Sequence, residues 1–535
     1  MTEIQEHLLG LLKEIDGICR KYDIPYYLAG GSFVGAVRHG GFLPWDDDAD
    51  IHMYRDDAER FAEAVKKEGL KNRVVFKQSP KGQYSQVHWR YENTATTSLL
   101  RSLVATDALQ GQFVDIFILY PVPRDEKEKQ EYVDNYELYL ELRARNVSVA
   151  SRNRDREYLK RYYKAKKREK IFGFRKVQEE LEKKIFCYPD EDADEWLIRS
   201  LHPTHRTTPK AWWGTPRYVD FEDTQFPVAE HAEQLLCTQY GPTWFEIPAH
   251  VERGQHTIVE DFEIPYTVYT AEYGKHIDEK KFYRQCVKKK EFWFRLLWDR
   301  NVIRPQIWDM RALQLSMEIQ HLVEQYHLDL KAMVEQGRFD ELEAIFAPCF
   351  VFYGQEPVRF WGTYVDLPDA YLYAAVYNSC FNGNYGQAKK VLGKRKKLER
   401  PLSADLEELD AVCDATDRLL TSIYTDKDFA AAREITEEWL ARYPRLVYFM
   451  RAKMALDIRD EAQDDQTLLA QCERFLESYP NDGELMKYRG DLLMKMEQRQ
   501  EAEHCYERAM NKTQNGFCIR EIREYFADHQ RKEKR

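Results

Sequence analysis

Four aspartates fall within five positions, Asp46, Asp47, Asp48 and Asp50, inside the stretch Tyr27–Met53, YLAGGSFVGAVRHGGFLPWDDDADIHM. Carboxylates this close repel one another by roughly several kcal/mol if buried without a counter-charge, so the run is either a solvated acidic loop or a cation site. Apolar Ile51 and Met53 flank the pair Asp48 and Asp50. Two carboxylates at i and i+2 of a strand point to one face and can grip one divalent ion. A third candidate is Asp115, set in the apolar run Phe113-Val114-Asp115-Ile116-Phe117-Ile118. An aspartate there is costly unless it is paired or satisfied by backbone N–H groups. If its strand lies beside Asp48 and Asp50, three carboxylates converge, as is needed to hold Mg2+ against a pyrophosphate and to accept a proton from an attacking hydroxyl. Upstream, Gly30-Gly31-Ser32 ends a strand and opens a helix, where backbone N–H groups and a hydroxyl can approach a phosphate.

Apolar spacing predicts the elements that must position these groups: a helix over Glu3–Tyr22, a strand Tyr26–Ala29, a helix through Val37, a strand at Ile51–Met53, a helix over Asp56–Glu68, and strands at Arg73–Lys77 and Gln112–Leu119. That is an α/β or α+β domain. From Tyr132 to Lys184 the pattern becomes helical and charged, and Arg152–Lys184 holds 14 Lys/Arg against 6 Asp/Glu. This reads as a solvated helical insertion or as a docking surface for an anionic glycan, lipid head group or phosphate-rich acceptor. The aromatic, proline-rich stretch from Trp212 to about Pro248 is expected as loops packed on the same catalytic unit. Beyond Asp278 helix follows helix, with turn signals at Gly337, Gly383-Asn384, Pro444, Pro480–Gly483 and Asn515-Gly516. Tyr443-Pro444 and Tyr479-Pro480 are 36 residues apart, and Gly490, Ala502, Tyr506 and Ala509 fall at tetratricopeptide offsets, so this half is a generic helical array or degenerate repeats of that kind.

At 535 residues the chain is too long for one core, and the expected division is a catalytic domain over 1–275, carrying the basic insertion at about 132–184, and an all-α tetratricopeptide-like domain over 276–535. A net charge of −11 argues against nucleic acid as a partner, so basic surface must be local. The N-terminal sequence lacks the cationic start and apolar run of a signal peptide, and no apolar run of about 18 residues occurs, so a cytoplasmic protein without a transmembrane segment is expected. Ten cysteines are scattered without a CxxC pair, which indicates neither a disulfide framework nor a zinc ribbon.

The run GGSFVGAVRHGGFLPWDDDADI, with YLAGG before it and FVDIFILYPV after it, closely resembles the LicD family of phosphocholine transferases, whose relatives include the fukutin-type sugar-phosphate transferases. The resemblance covers residues 1–120 strongly and 214–244 more loosely. It implies an α+β, nucleotidyltransferase-like mixed-sheet domain in which Gly31 and Ser32 hold donor phosphate, Asp48 and Asp50 ligate metal, and Asp115 is the third carboxylate. Arg38 and His39 fall in the same run. Arg38 is either a phosphate clamp, through two parallel guanidinium bonds, or a brace for the aspartate loop. His39 either protonates a leaving group or braces the turn, and Trp45 either orders the loop or stacks on a base. Arg90 with Asn93-Thr94 aligns with a family segment that normally reads nearer Lys-Ile-Arg-Asp-x-x-Thr; His88-Trp89-Arg90-Tyr91 departs from it, and any donor contact from Arg90 rests on that looser match.

The implied activity is Mg2+-dependent transfer, with Mn2+ as a substitute, of a phospho-substituent from a CDP-linked donor to a hydroxyl of a cell-surface glycan or glycolipid precursor, with release of CMP. Phosphocholine is the family's best-known cargo, and Trp212, Trp213, Tyr218, Tyr240 and Trp244 offer aromatic faces for a quaternary ammonium. Such a protein works in the cytoplasm or at the inner face of the membrane, as a peripheral partner, and its helical domain contacts a protein partner or the acceptor. Two alternatives use the same residues: attachment of a nucleoside monophosphate, served by the same carboxylates, and a non-catalytic helical scaffold, against which three retained carboxylates argue.

Overall fold

The computed structural model describes residues 1–77, 84, 86–100, 103, 106–143, 156–198, 206–247, 257–274, 323–326, 328–338, 341–342, 344–345, 369–397 and 401–533. The chain splits into two compact units, Met1–Gln239 with Val251–Ile303, and Tyr240–His250 with Arg304–Arg535. The stretch 275–322, expected to open the helical half, lies outside the described residues.

The first unit is α+β. Its strands are β1 (Tyr27–Leu28), β2 (Asp50–Tyr54), β3 (Arg73–Phe76), β4 (Trp89–Asn93), β5 (Thr97–Leu100), β6 (Gln112–Pro123), β7 (Ala193–Ile198), β8 (Arg206–Pro209), β9 (Arg217–Phe221), β10 (Thr224–Val228) and β11 (Thr257–Asp261). Its helices are α1 (Glu3–Tyr22), α2 (Gly30–His39), α3 (Arg55–Glu68), α4 (Glu126–Arg143), α5 (Arg156–Phe172), α6 (Phe174–Ile185), α7 (Ala232–Tyr240) and α8 (Tyr266–Gly274). The main sheet runs β1-β2-β6-β4-β3, and β7 and β8 extend it from the far end of β6. Only β2 and β6 pair in parallel, and every other neighbour is antiparallel.

Registered residues share a face, which sorts the sheet. Ile51, Met53, Val114, Ile116, Ile118 and Tyr91 point one way, and there α1 and α3 cover them, with Phe61 edge-on to Tyr91. Helix α1 buries Leu8, Leu11, Leu12, Ile15, Ile18 and Cys19 at helical spacing, and Thr2 and Gln5 close its start as a capping box. The opposite face carries Asp50, Asp115 and Arg90 in one register line and His52 with Phe117 in the next. One side of the sheet is therefore apolar, and the other carries its buried charged and polar side chains together with Phe117.

The stretch expected as loops after Trp212 contains the hairpin β9–β10, whose two-residue turn puts Glu222 at φ 55. Alternation in RYVDF and TQFPV supports strands as well as loops, and the burial of Phe221, Phe226 and Val228 selects strands.

The second unit is helical: α9 (Leu330–Glu335), α10 (Asp369–Phe381), α11 (Tyr385–Lys397), α12 (Ala404–Leu420), a π-helical turn Thr421–Asp426, then α13 (Phe429–Arg442), α14 (Val447–Arg459), α15 (Asp465–Ser478), α16 (Gly483–Lys495), α17 (Arg499–Met510) and α18 (Gly516–Glu533). Each helix packs chiefly on its neighbour in sequence. Gly490 lets α16 and α17 close up, since a Cβ there would strike the Tyr506 ring, and Ala502 and Ala509 are fully buried beside it. Trp244 and Phe245, from the inserted strip Tyr240–His250, are buried in this unit, Trp244 edge-on to Phe517 and Phe245 stacked 3.6 Å from Tyr424. Among the described residues, no helix is long and apolar enough to cross a membrane.

Candidate active site

The glycine pair places the start of α2 directly on the acidic cluster. Gly30 has φ +51, and a Cβ on it would strike the Asp50 carboxylate; one on Gly31 would strike that of Asp46. Only glycine permits this approach, and the positive end of the helix then faces two carboxylates. The buried Ser32 hydroxyl accepts the backbone N–H of Asp50 at 3.1 Å, and the Ala29 N–H donates to the Asp50 carbonyl at 2.9 Å. Ser32 therefore ties α2 to β2, and its O–H proton remains to donate elsewhere. Asp48 lies just ahead of β2, which begins at Asp50; the Asp115 N–H donates to the Ala49 carbonyl at 2.9 Å between them.

Asp115 sits level with Asp50 across the parallel β2–β6 pair and level with Arg90 across β4–β6. The Arg90 Nε donates to its Oδ1 at 2.8 Å, and His88 Nε2 lies 3.1 Å from its Oδ2. Burial opposes the charge on Asp115, yet His88 and Arg90 together hold its carboxyl below the usual carboxylate range. Burial likewise works against the guanidinium, and Asp115 outweighs it, holding Arg90 above its ordinary value. The guanidinium is 2% exposed and lies 3.7 Å over the Phe113 ring. Two residues along β4, Glu92 is wholly buried; its Oε1 accepts the Gly111 N–H at 2.5 Å and its Oε2 has no hydrogen-bond partner. Burial pushes its carboxyl up to about 8, against the pull of Arg90 and the Gly111 N–H.

The loop between α2 and β2 is held from two sides. Gln5 of α1 donates through Nε2 to the carbonyls of Leu43 at 3.1 Å and Asp46 at 3.0 Å. Glu222, at the tip of β9–β10, accepts the Phe42 N–H at 3.0 Å and donates its own N–H to the Gly40 carbonyl at 2.9 Å. Arg38 is buried, with its Nε 3.3 Å from His39 Nδ1, and Trp45 packs edge-on to the His39 ring with centroids 6.1 Å apart. Arg38 and Trp45 thus both contact His39, an arrangement suited to ordering the loop. His52, one register step beyond Asp50, is pushed to about 4 by burial and stays a neutral packing partner of Phe117 and Trp213.

Of the residues read from the sequence, Gly31, Ser32, Asp50, Asp115 and Arg90 meet on one face of the sheet and at the start of α2. Of the aromatic five, Tyr240 and Trp244 fall in the second unit, and Trp213 is buried against Tyr27 and His52. Reasoning from sequence missed His88 as a partner of Asp115, and Gln5, Glu222 and Glu92. Spacing cannot reveal the register that joins β4 to β6, although a buried-looking Arg-x-Glu beside an isolated Asp was a usable signal.

Among the described residues, no three His, Cys, Asp or Glu side chains close to metal-coordinating distance. Asp48 and Asp50 are hard oxygen donors, and Mg2+ is commonly held by one or two carboxylates with substrate phosphates completing its shell. Asp48 and Asp50 fit that ion by donor type, and the Asp115 oxygens lie 2.8 Å from Arg90 Nε and 3.1 Å from His88 Nε2.

The first unit thus sets acidic residues on two adjacent parallel strands of a mixed sheet against the start of a glycine-opened helix. Residues 23–137 match the family described as LicD/FKTN/FKRP, nucleotidyltransferase domain. Over 291 aligned residues, 49% of this chain and 97% of the relative, it is 28% identical to the lipopolysaccharide cholinephosphotransferase LicD of Haemophilus influenzae. A shorter stretch of 41 residues is 44% identical to human ribitol 5-phosphate transferase FKRP, covering 8% of each chain. Another, of 58 residues, is 38% identical to an uncharacterized protein of Rickettsia typhi, covering 11% of this chain and 19% of that one.

Proposed function

We propose that the first unit transfers a phospho-substituent, phosphocholine in the first instance, from a CDP-linked donor to a hydroxyl of a glycan or glycolipid precursor, releasing CMP. The observation that carries this reading is the alignment of Asp50 with Asp115 on adjacent parallel strands, directly under the glycine-started α2. Similarity to a cholinephosphotransferase over nearly that protein's whole length supports the cargo. Asp48 and Asp50 would hold Mg2+, or Mn2+ in its place, which supplies charge neutralisation at the departing phosphate. The acceptor oxygen forms a bond to the phosphorus distal to cytidine as the bond to CMP breaks, and its proton passes to a nearby carboxylate or to water.

Asp115, held ionised by Arg90 and His88, is a weak proton acceptor. It therefore serves chiefly as a fixed charge that orients the acceptor and the basic groups around it, and catalysis rests mainly on positioning. Arg38, His39 and Trp45 shape the loop that carries Asp46 to Asp50.

The deciding experiment incubates the full chain with Mg2+, a hydroxyl-bearing glycolipid acceptor and a panel of CDP-linked donors, and follows both CMP and the acceptor by mass. CMP release with the phospho-substituent on the acceptor supports the reading. A nucleoside monophosphate on the acceptor sinks it in favour of nucleotidyl transfer, and no turnover with any donor sinks both.

A further inference from the structure

Helices α5 and α6 form an antiparallel hairpin whose root is well packed and whose tip is not. At the root Tyr162, Ala165, Val177, Leu181 and Ile185 are buried, Arg161 donates to Asp134 and Asn135 of α4 at 2.9 and 2.8 Å, and Tyr139 of α4 donates to Glu182 at 3.1 Å. At the tip Ile171 is 63% exposed and Phe172 57% exposed, side by side, before the turn at Gly173. That turn has φ +87 and open space around it. Arg168 lies 5.4 Å over the Phe172 ring, yet both apolar side chains remain more than half exposed at the end of the hairpin, which costs free energy in water.

The charge around this tip is as one-sided as its exposure. Residues 156–185 carry 12 Lys/Arg against 5 Asp/Glu in a chain whose net charge is −11. Several cations are neutralised locally, Lys166 by Glu169, Arg168 by Glu180 and Arg175 by Glu179. Lys164, Lys167, Lys170 and Lys176 are exposed, and no described carboxylate pairs with them. Lys164, Lys167 and Ile171 fall at i, i+3 and i+7, so one stripe of α5 leads from cations to the apolar tip.

We infer that this hairpin docks the protein onto an anionic lipid bilayer, with Ile171 and Phe172 entering the acyl boundary and the Lys164, Lys167, Lys170 and Lys176 ammonium groups lying among the head groups. A soluble polyanion such as a charged glycan or nucleic acid satisfies the cations equally well but gives the apolar pair nowhere to go. A membrane satisfies both, since stable docking needs an apolar insertion together with a basic patch. This proposal does not depend on the transfer reading, because α5 and α6 carry none of the residues assigned to the candidate site.

The test is co-sedimentation of the full chain with vesicles of phosphatidylcholine alone or with phosphatidylglycerol added. The expected result is binding at least about tenfold tighter to the anionic vesicles, weakened by salt, since each basic side chain at the surface contributes about fivefold. Ile171→Ser with Phe172→Ser should lose most of that binding, and so should Lys164→Glu with Lys167→Glu; both pairs are on the surface, and circular dichroism checks that they fold. Equal binding to neutral vesicles, no binding to either, or wild-type binding by the Ile171/Phe172 variant overturns the proposal. So does a heparin affinity that matches the vesicle affinity and survives removal of the apolar pair, which would mark a polyanion site. A concentration-dependent dimer abolished by the same variant would also overturn it, as the tip would then be covered by a second copy. CMP release from a CDP-linked donor in the absence of lipid should be unchanged in these variants, so failure of docking and failure of the transfer reading are read separately.

Discussion

Asp115 is held by the Arg90 guanidinium and the His88 imidazole, while Asp48 and Asp50 belong to a run of four neighbouring aspartates, and this difference sets what each substitution should do. Asp48→Asn and Asp50→Asn should each lower turnover by about a hundredfold or more while leaving the fold intact or slightly stabilised, because removing one charge from a carboxylate cluster relieves repulsion. Near-wild-type CMP release by either variant at saturating Mg2+ would remove the metal assignment. Arg90→Met should behave in the opposite way and act on stability first. It leaves the buried Asp115 carboxylate with His88 alone, and breaking a buried pair by removing one partner costs up to about 3–5 kcal/mol, readable as a lower urea midpoint. The aspartates were legible in the sequence because four carboxylates beside apolar residues are a chemical anomaly at any register. The clamp on Asp115 was not, because Arg90 and His88 reach it only through the antiparallel pairing of β4 with β6, and neither residue's spacing encodes that neighbour.

Strand β4 carries a second charged residue whose consequence is pH dependence. Glu92 titrates at about 8 in the folded chain against an ordinary value of 4.5, and burial is the main cause. Its folded-state value is the higher one, so its contribution to stability is complete below about pH 4.5 and drains away as pH rises towards 8. Glu92→Gln keeps a polar partner for the Gly111 N–H and should flatten the loss of stability between about pH 4.5 and 8, measured as thermal midpoints across that range. An unchanged pH profile would mean that Glu92 is not the titrating group. A second element-level expectation concerns the brace on the acidic loop. Gly41→Ala would drive a methyl group into the Glu222 side chain and should lower both stability and turnover, with Glu222→Ala in the same chain recovering part of the stability. Long amphipathic helices such as α1 and α3 were readable from period alone, and their bounds differ from expectation by at most a residue. The hairpin β9–β10 was not, because short strands with proline and charge read like loops until their burial on the sheet is known.

At the scale of the chain, the two units are interleaved, and this decides how they can be separated. The strip Tyr240–His250 belongs to the helical unit, while β11 returns to pair with β5 of the first unit. A boundary near residue 275 is natural from composition, since helical periodicity takes over there, but composition cannot report that a short earlier strip is captured elsewhere. A fragment ending at residue 275 keeps β11 and strips the helical cover from Trp244 and Phe245, both almost fully buried in the intact chain. Two exposed aromatics side by side favour association, so this fragment should aggregate. Ending it at Gln239 removes the aromatics and also β11, leaving the edge of β5 unpaired, which is no better. The fragment 1–275 carrying Trp244→Ser and Phe245→Ser keeps β11 and removes the apolar surface, and it should be soluble and monomeric by sedimentation. If the helical unit shapes acceptor binding without supplying chemistry, that fragment should still release CMP slowly to water in the presence of donor and Mg2+, with an acceptor KM raised or lost. A soluble, folded fragment that binds donor but never releases CMP would mean that the helical unit supplies a group to the reaction, and the division of labour between the units would have to be redrawn.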